Sequence, residues 1–278
     1  MKIVNLIEDT KGEINCLYEH GLSFYIETKN HRILMDTGTS DAFINNAKKL
    51  KIDLTKVDLV ILSHGHYDHC GGVLSFVKIN PQAKIYIQKT ASNDYYSLHG
   101  DQSKYIGIDK RIWNLKQLVL VDEMLKIDEE VMIFAGVQGR KYWPEANRRI
   151  MKKVAGNLVQ DDFIHEQYLV VKDNDQQYLF SGCGHNGIIN ILTQYHQIFA
   201  KYPNFVISGF HMIKKEPYNE LEIETIEKTG ELLKQLPTVF YTGHCTGIEA
   251  IRILKKIMEN KLQVIHSGME IFDLNGQK

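Results

Sequence analysis

Ser63-His64-Gly65-His66-Tyr67-Asp68-His69-Cys70-Gly71-Gly72 follows directly on the apolar run Leu59-Val60-Ile61-Leu62. The apolar run reads as a buried strand, so the polar residues stand at its mouth. Four side chains that bind transition metals, His64, His66, Asp68 and His69, fall within six residues. Two imidazoles at i and i+2, with a carboxylate–imidazole pair at i+4 and i+5, can face two adjacent metal ions from one turn. Imidazole and carboxylate donors suit zinc, with iron or manganese as alternatives. A polar loop whose histidines only cap and turn would not concentrate these donors in this order.

Outward from this run, the first third alternates strands and turns. Residues 3–7 read as a strand, and 22–27 with 32–35 as a hairpin. Ser40 or Asp41 caps a helix to about Leu50, with Phe43, Ile44, Ala47 and Leu50 at helical spacing. Residues 57–62 and 83–88 are expected as strands and 73–77 as a helix. The stretch 89–165 is rich in Tyr, Asp, Asn and Lys. It reads as irregular loops over an active-site mouth, with two hairpin-like runs at 117–121 and 131–135.

The second half opens on a hairpin, 168–171 with 177–180. Three apolar strands then end in a small residue followed by histidine: Phe180-Ser181-Gly182-Cys183-Gly184-His185, Ile207-Ser208-Gly209-Phe210-His211 and Tyr241-Thr242-Gly243-His244. The run from Leu59 to His66 makes a fourth. Helices are expected at about 187–200, 219–235 and 247–259. Strands that deliver histidine at one end are what a convergent metal site at a sheet edge requires. Alternating strands and helices, with a similar motif in both halves, predict an α/β (α+β) fold. Its expected form is an αββα sandwich of two mixed sheets flanked by helices. One domain over residues 1–278 is expected, with an insertion over the mouth at about 89–165.

Hydrophobic residues make up 44% of the chain and charged residues 24%, with a net charge of -1. Such a balance gives no global field for nucleic acid or a membrane surface, so the expected partner is a small-molecule substrate. The N-terminus reaches an acid at Glu8 without an apolar signal core, and no run approaches the roughly 20 apolar residues of a membrane helix. A cytoplasmic location is the expectation. Oligomeric state is left open. The four cysteines, Cys16, Cys70, Cys183 and Cys245, form no CxxC pair and read as free thiols in a reducing compartment. Cys183 is placed to ligate. Cys70 and Cys245 are expected to pack as small buried side chains.

The run His64-Gly65-His66-Tyr67-Asp68-His69 resembles the HxHxDH signature of the metallo-β-lactamase superfamily. The strand pair ending in Leu34-Met35-Asp36-Thr37-Gly38 and the later strand-end histidines resemble the same superfamily. The phrases Glu19-His20-Gly21-Leu22-Ser23, Ser181-Gly182-Cys183-Gly184-His185 and Gly243-His244-Cys245-Thr246-Gly247 look like one subfamily within it. Its members are labelled as resembling the dihydropterin-methyl-ribofuranosylaminobenzene-phosphate synthase. The resemblance covers nearly the whole chain.

By this resemblance His64 and His66 belong to one metal, while Asp68, His69 and His244 belong to a second. The superfamily's usual bridging Asp is absent. Cys183 stands in its place, either as a ligand or turned away, and His185 supplies the remaining ligand of the first metal. A thiolate biases the site toward zinc. Asp36 resembles a carboxylate that orients a ligand histidine. Asp68 is a candidate general base where only one metal is bound. His211 is a candidate for substrate binding or proton transfer, with a structural role as its alternative. His20 is a further candidate at the mouth. Arg140, Lys141, Arg148 and Arg149 either bind an anionic group or form a solvated surface. His31, His99, His165, His196 and His266 read as surface or capping residues.

The leading expectation is a hydrolase with two zinc ions acting on a small ester, phosphodiester or thioester. The alternative is a metal-assisted transferase on a pterin, as the subfamily's label implies. A flavo-diiron oxidoreductase shares the fold, but it favours further carboxylates and a flavodoxin partner domain. A binding module that keeps the metal site is the non-enzymatic alternative. A secreted β-lactamase would carry an export signal, which the N-terminus does not show.

Overall fold

Two seven-stranded mixed sheets repeat one pairing scheme: three antiparallel neighbours followed by three parallel ones. They are seen in a computed structural model that describes residues 1–12 and 15–271. The described residues fall into two compact units. One holds residues 1–92, 108–122 and the chain from Ile265, and the other holds residues 93–107 and 123–264.

In the first unit the sheet runs, edge to edge, through Glu270–Ile271, Lys2–Ile7, Ser23–Glu27, Arg32–Met35, Leu59–Ile61, Lys84–Gln88 and Leu118–Val121. Helix Ala42–Lys49 crosses over between Arg32–Met35 and Leu59–Ile61, and helix Val73–Ile79 crosses to Lys84–Gln88. Parallel neighbours need such crossovers. The strand Leu59–Ile61 is buried at every position, as a parallel strand covered on both faces should be. Its Val60 packs with Leu34, Phe43, Val73, Phe76 and Ile85 in one apolar cluster. Each such side chain contributes about 1.5–3 kcal/mol relative to exposure. That packing, rather than capping, holds helix Ala42–Lys49. Asp41 makes no capping bond, and Ser40 Oγ accepts only the Ala42 amide, at 3.1 Å.

In the second unit the sheet runs through Leu262–Val264, Val239–Thr242, Phe205–Ile207, Gln176–Phe180, Gln167–Asp173, Val131–Ala135 and Met124–Lys126. Helices Ile188–Phe199, Glu220–Gln235 and Ile248–Met258 lie between its parallel strands in sequence, close to the expected spans. Leu179, Val206 and Phe240, one from each of three neighbouring strands, pack with Ile191, Tyr195, Leu233 and Leu254 of these helices. No helix among the described residues is long and apolar enough to cross a membrane.

Two mixed sheets with flanking helices are the class the sequence predicts. The stretch 89–165 departs from expectation. It is not mainly irregular: Asn157–Gln160, Ile150–Val154, Tyr95–His99 and Gln102–Tyr105 form a four-stranded antiparallel sheet in the second unit. Residues 117–121 and 131–135 do not lie in hairpins of one kind either. Leu118–Val121 joins the first sheet in parallel, while Val131–Ala135 joins the second antiparallel. Strands Gln102–Tyr105 and Asn157–Gln160 are exposed throughout. Strands exposed on both faces lack the apolar alternation by which sequence reading recognises a strand.

Candidate metal centre

In the first unit the metal-binding run begins where strand Leu59–Ile61 ends. Leu62 N donates to Tyr86 O at 2.9 Å, continuing the ladder by one residue. The next residue leaves it. Ser63 N donates to Asp36 Oδ1 at 2.7 Å and Ser63 Oγ to Asp36 Oδ2 at 2.7 Å. Asp36 sits at the end of strand Arg32–Met35 with φ of 59°, a left-handed conformation that Asp tolerates better than most residues. His69 Nδ1 lies 2.7 Å from the same Asp36 Oδ2. His66 then caps the short helix Tyr67–Cys70, which carries Asp68 and His69.

The hydrogen-bond network assigns the tautomers. The Asp36 carboxylate only accepts, so His69 Nδ1–H donates to it. The single Ser63 hydroxyl proton is also spent on Asp36. The Ser63 oxygen, 2.8 Å from His64 Nδ1, therefore accepts from that ring. Both imidazoles are left with Nε2 as the lone-pair nitrogen, the form a metal ligand needs. The rings crowd together, with His64–His66 centroids 4.5 Å apart and His64–His69 centroids 4.2 Å apart. Asp68 Oδ2 is 3.6 Å from His69 Nε2. The structure thus gathers His64, His66, Asp68 and His69 into one buried cluster, and gives Asp36 the orienting role its position suggests.

The Glu19-His20-Gly21 phrase braces this loop. Glu19 Oε1 accepts from Thr39 N at 2.9 Å and Ser40 N at 3.0 Å, holding the turn after Asp36. His20 Nδ1 lies 2.8 Å from Asp9 Oδ2, and its Nε2 lies 3.4 Å from Asp68 Oδ2. A Cβ at Gly21 would meet Asp68 O at 2.8 Å, so only glycine fits there. Cys70 behaves as expected: it is buried, its Sγ donates to His64 O at 3.2 Å, and burial pushes its thiol well above the ordinary value.

In the second unit the candidates come from the ends of three neighbouring parallel strands. Cys183 and His185 follow Gln176–Phe180, His211 follows Phe205–Ile207, and His244 follows Val239–Thr242. His185 Nδ1 is 2.8 Å from Asn147 Oδ1, and Asn147 Nδ2 donates to His185 O at 2.7 Å. An amide oxygen only accepts, so His185 too presents Nε2 as its lone-pair nitrogen. Phe163 stacks on its other side, with centroids 4.4 Å apart and planes 5° from parallel. The His211 ring lies 4.1 Å from the His185 ring. His211 and His244 both take left-handed backbone conformations, with φ of 46° and 48°.

Cys183, His211 and Cys245 also lie together, with one ligand atom of each within 4.8 Å of the others. Burial pushes the Cys245 thiol up. The Cys183 thiol and the His244 and His211 imidazoles outweigh that, and hold it well below the ordinary thiol value. Cys245 is buried, as the sequence suggests, and lies against two further donor side chains.

Sequence reading passes over several residues that hold these donors. Asn147 lies in a polar segment with no periodicity to mark it. Glu166 is buried, and its carboxylate accepts from His185 N at 2.7 Å, Asn186 N at 2.9 Å, Asn186 Nδ2 at 3.0 Å and Tyr168 Oη at 2.6 Å. His165, expected at the surface, is buried with its Nε2 3.0 Å from Asp161 Oδ2. The Asp161–His165 spacing of four is the one local signal that pairs them. Of the basic cluster, Arg140 donates to Asn186 Oδ1 at 3.3 Å and Asp162 O at 3.0 Å, and Arg148 pairs with Glu145. Arg148 and Arg149 border a cavity of about 190 Å³ that Met212, Lys214, Tyr218 and Ile226 also line.

Comparison with known proteins gives consistent findings. A family profile described as the metallo-beta-lactamase superfamily matches residues 19–143. An uncharacterized protein of Methanocaldococcus jannaschii is 29% identical, over 92% of this chain and 94% of its own. From the same organism, the 7,8-dihydropterin-6-methyl-4-(beta-D-ribofuranosyl)-aminobenzene-5'-phosphate synthase is 27% identical, over 96% of this chain and 95% of its own. A crystal structure described as a metal-dependent hydrolase of the beta-lactamase superfamily superposes with a TM-score of 0.82. It is 29% identical and covers 98% of this chain and 99% of that one.

Proposed function

The chain belongs to the metallo-β-lactamase superfamily, and from that membership we propose that it is a metal-dependent hydrolase of small ester, phosphodiester or thioester substrates. One observation carries the reading. His64, His69 and His185 each have Nδ1 engaged, by Ser63, Asp36 and Asn147 respectively, so that each offers Nε2. A histidine kept for packing or capping needs no such control of its tautomer, whereas a metal-ligating histidine depends on it.

In the superfamily pattern His64, His66, Asp68 and His69 of the first unit, and His185 and His244 of the second, would each be zinc donors, for two ions in all. Cys183, in the place of the usual bridging Asp, would add a thiolate donor. The donor chemistry fits zinc, with mostly imidazole, one carboxylate and one thiol. Such ions, when bound, polarise a substrate oxygen and lower the pKa of water toward neutrality.

The chain's own residues supply orientation. Asp36 and Ser63 fix the His64 and His69 rings, and Asn147 and Phe163 fix His185. His20, 3.4 Å from Asp68, steadies that carboxylate or shares a proton with it. Where one ion is bound, Asp68 is left as a candidate base. The cavity beside Met212 offers a substrate an apolar wall, on which Arg148, Arg149 and Lys214 are set against Glu145, Glu216 and Glu222.

A second reading is a metal-assisted transferase acting on a pterin, favoured by the relative named as a synthase. The test separates the two. Purified zinc-loaded protein is offered bis(p-nitrophenyl) phosphate, p-nitrophenyl acetate and an acyl thioester, and, separately, a dihydropterin with a ribofuranosylaminobenzene phosphate. Turnover of the first set that disappears in His64→Ala and Asp68→Ala proteins is the expected result. No turnover of that set in fully loaded protein, with product from the second, would replace the hydrolase by the transferase.

A further inference from the structure

We propose that Cys183, His211 and Cys245 form a further thiolate-rich site for a soft metal ion, zinc foremost, within the second unit, with Cys183 shared between it and the donor set above. The proposal goes beyond the two-ion reading above, in which histidines and Asp68 are the principal donors.

The topology sets the donors side by side. His211 follows the middle one of three adjacent parallel strands, Cys183 follows the neighbour on one side, and Cys245 follows the neighbour on the other. Every pair of ligand atoms lies within 4.8 Å. A tetrahedral zinc ion with sulfur at about 2.3 Å and nitrogen at about 2.0 Å needs its donors about 3.5–3.8 Å apart. Small side-chain rotations close that difference. Both cysteines are 2% exposed. The His211 Nδ1 is buried and makes no hydrogen bond among the described residues. In a protein interior such an atom usually has a partner.

The backbone is shaped around the same point. Gly209 leaves the space in which the Cys245 sulfur sits, since a Cβ there would stand 2.5 Å from it. Thr246 Oγ1 accepts from Phe210 N at 2.9 Å, and Cys245 O accepts from Ile213 N at 2.9 Å. These bonds lock the segment around left-handed His211 on both sides. A hydrogen-bonded thiol alone accounts for less. Cys245 Sγ reaches Cys183 O at 3.5 Å, a bond that does not involve the buried His211 Nδ1. Two sulfurs and an imidazole select zinc or copper(I) over magnesium, calcium or manganese, and leave a fourth position for another ligand.

The test uses the whole protein and reads sulfur rather than turnover. Zinc-edge X-ray absorption of the loaded wild-type protein should show two sulfur scatterers per chain. Cobalt(II) loading should give a thiolate-to-metal charge-transfer band. Cys245→Ser should lower that band by at least about half and remove about one metal equivalent. His211→Ala should weaken cobalt binding while a sulfur band persists at higher cobalt. A protein carrying both His64→Ala and His66→Ala should keep the band, whatever happens to hydrolysis, so failure of the hydrolase reading leaves this signal standing. The proposal is overturned if Cys183→Ser alone abolishes the band while Cys245→Ser leaves it intact, because Cys183 then serves only the histidine set. It is equally overturned if loaded wild-type protein shows one sulfur scatterer or none, a result that does not depend on any variant folding.

Discussion

The two seven-stranded sheets share a scaffold and differ in what stands at the same strand ends. In the first, Asp36 N donates to Ile61 O and Leu62 N to Tyr86 O; in the second, Ser181 N donates to Ile207 O and Ser208 N to Tyr241 O. Register therefore equates Asp36 with Ser181, and Leu62 with Ser208. The first sheet places a carboxylate at this position, and that one group accepts from Ser63 N, Ser63 Oγ and His69 Nδ1. The second places a serine whose Oγ makes no hydrogen bond among the described residues. Its anchoring carboxylate is Glu166 instead, which precedes an antiparallel strand. One scaffold thus holds its histidines in two ways, and each half pins its loop on a single buried acid.

The equivalence of register without equivalence of role is open to direct attack. Asp36→Ala leaves two donors of Ser63 and one of His69 buried without their acceptor. It should cost about 3–5 kcal/mol in urea unfolding, and it should strip metal from His64 and His69 at lower chelator concentration. Ser181→Ala at the matching position should move stability by no more than about 0.5 kcal/mol. Equal losses at both positions would show that the shared scaffold, and not the carboxylate, carries the load.

Glu166 tests whether the second half has its own equivalent of Asp36. Its carboxylate accepts four bonds from His185, Asn186 and Tyr168. Glu166→Ala should cost about 2–4 kcal/mol, since buried donors of three residues lose their acceptor. Zinc affinity should fall with it, because the His185 backbone is no longer held. Retained stability together with normal metal content would remove Glu166 from the comparison.

Much of this was legible beforehand, and the exceptions share a cause. The strand ending at Ile61, the three later strand-end histidines and the three long helices announce themselves through local pattern, whether an apolar run, a 3.6-residue period or a clustered motif. Asp36, by resemblance, also declared its role. Asn147 and Glu166 did not. Each acts on His185 from 38 and 19 residues away respectively, and a partner fixed by tertiary folding leaves no trace in local periodicity. The four-stranded sheet escaped for a related reason: its outer strands bury nothing, so no alternation was written into them. Cys245 is buried as its sequence reading expects, but the second sulfur and the imidazole beside it are brought there by tertiary folding and leave no local mark.

The smallest effect concerns how the two loops continue past their equivalent strand ends. In the first half His66 runs straight into helix Tyr67–Cys70, whose backbone bonds hold it. In the second, His211 runs into an open segment, where Tyr218 Oη donates to Met212 O at 2.6 Å. Burial, followed by the charges of Glu222 and Glu249, pushes the Tyr218 hydroxyl up to about 12. A hydroxyl raised in this way favours the folded state while it stays protonated. Its contribution is complete below the ordinary tyrosine value of about 10 and fades as pH rises through about 12. Tyr218→Phe should therefore cost about 0.5–1.5 kcal/mol at neutral pH. It should also flatten the loss of stability that the wild-type protein shows between about pH 10 and 12. An unchanged alkaline limb in the variant would mean that other bonds, such as Ile213 N to Cys245 O, hold the His211 segment without help from Tyr218.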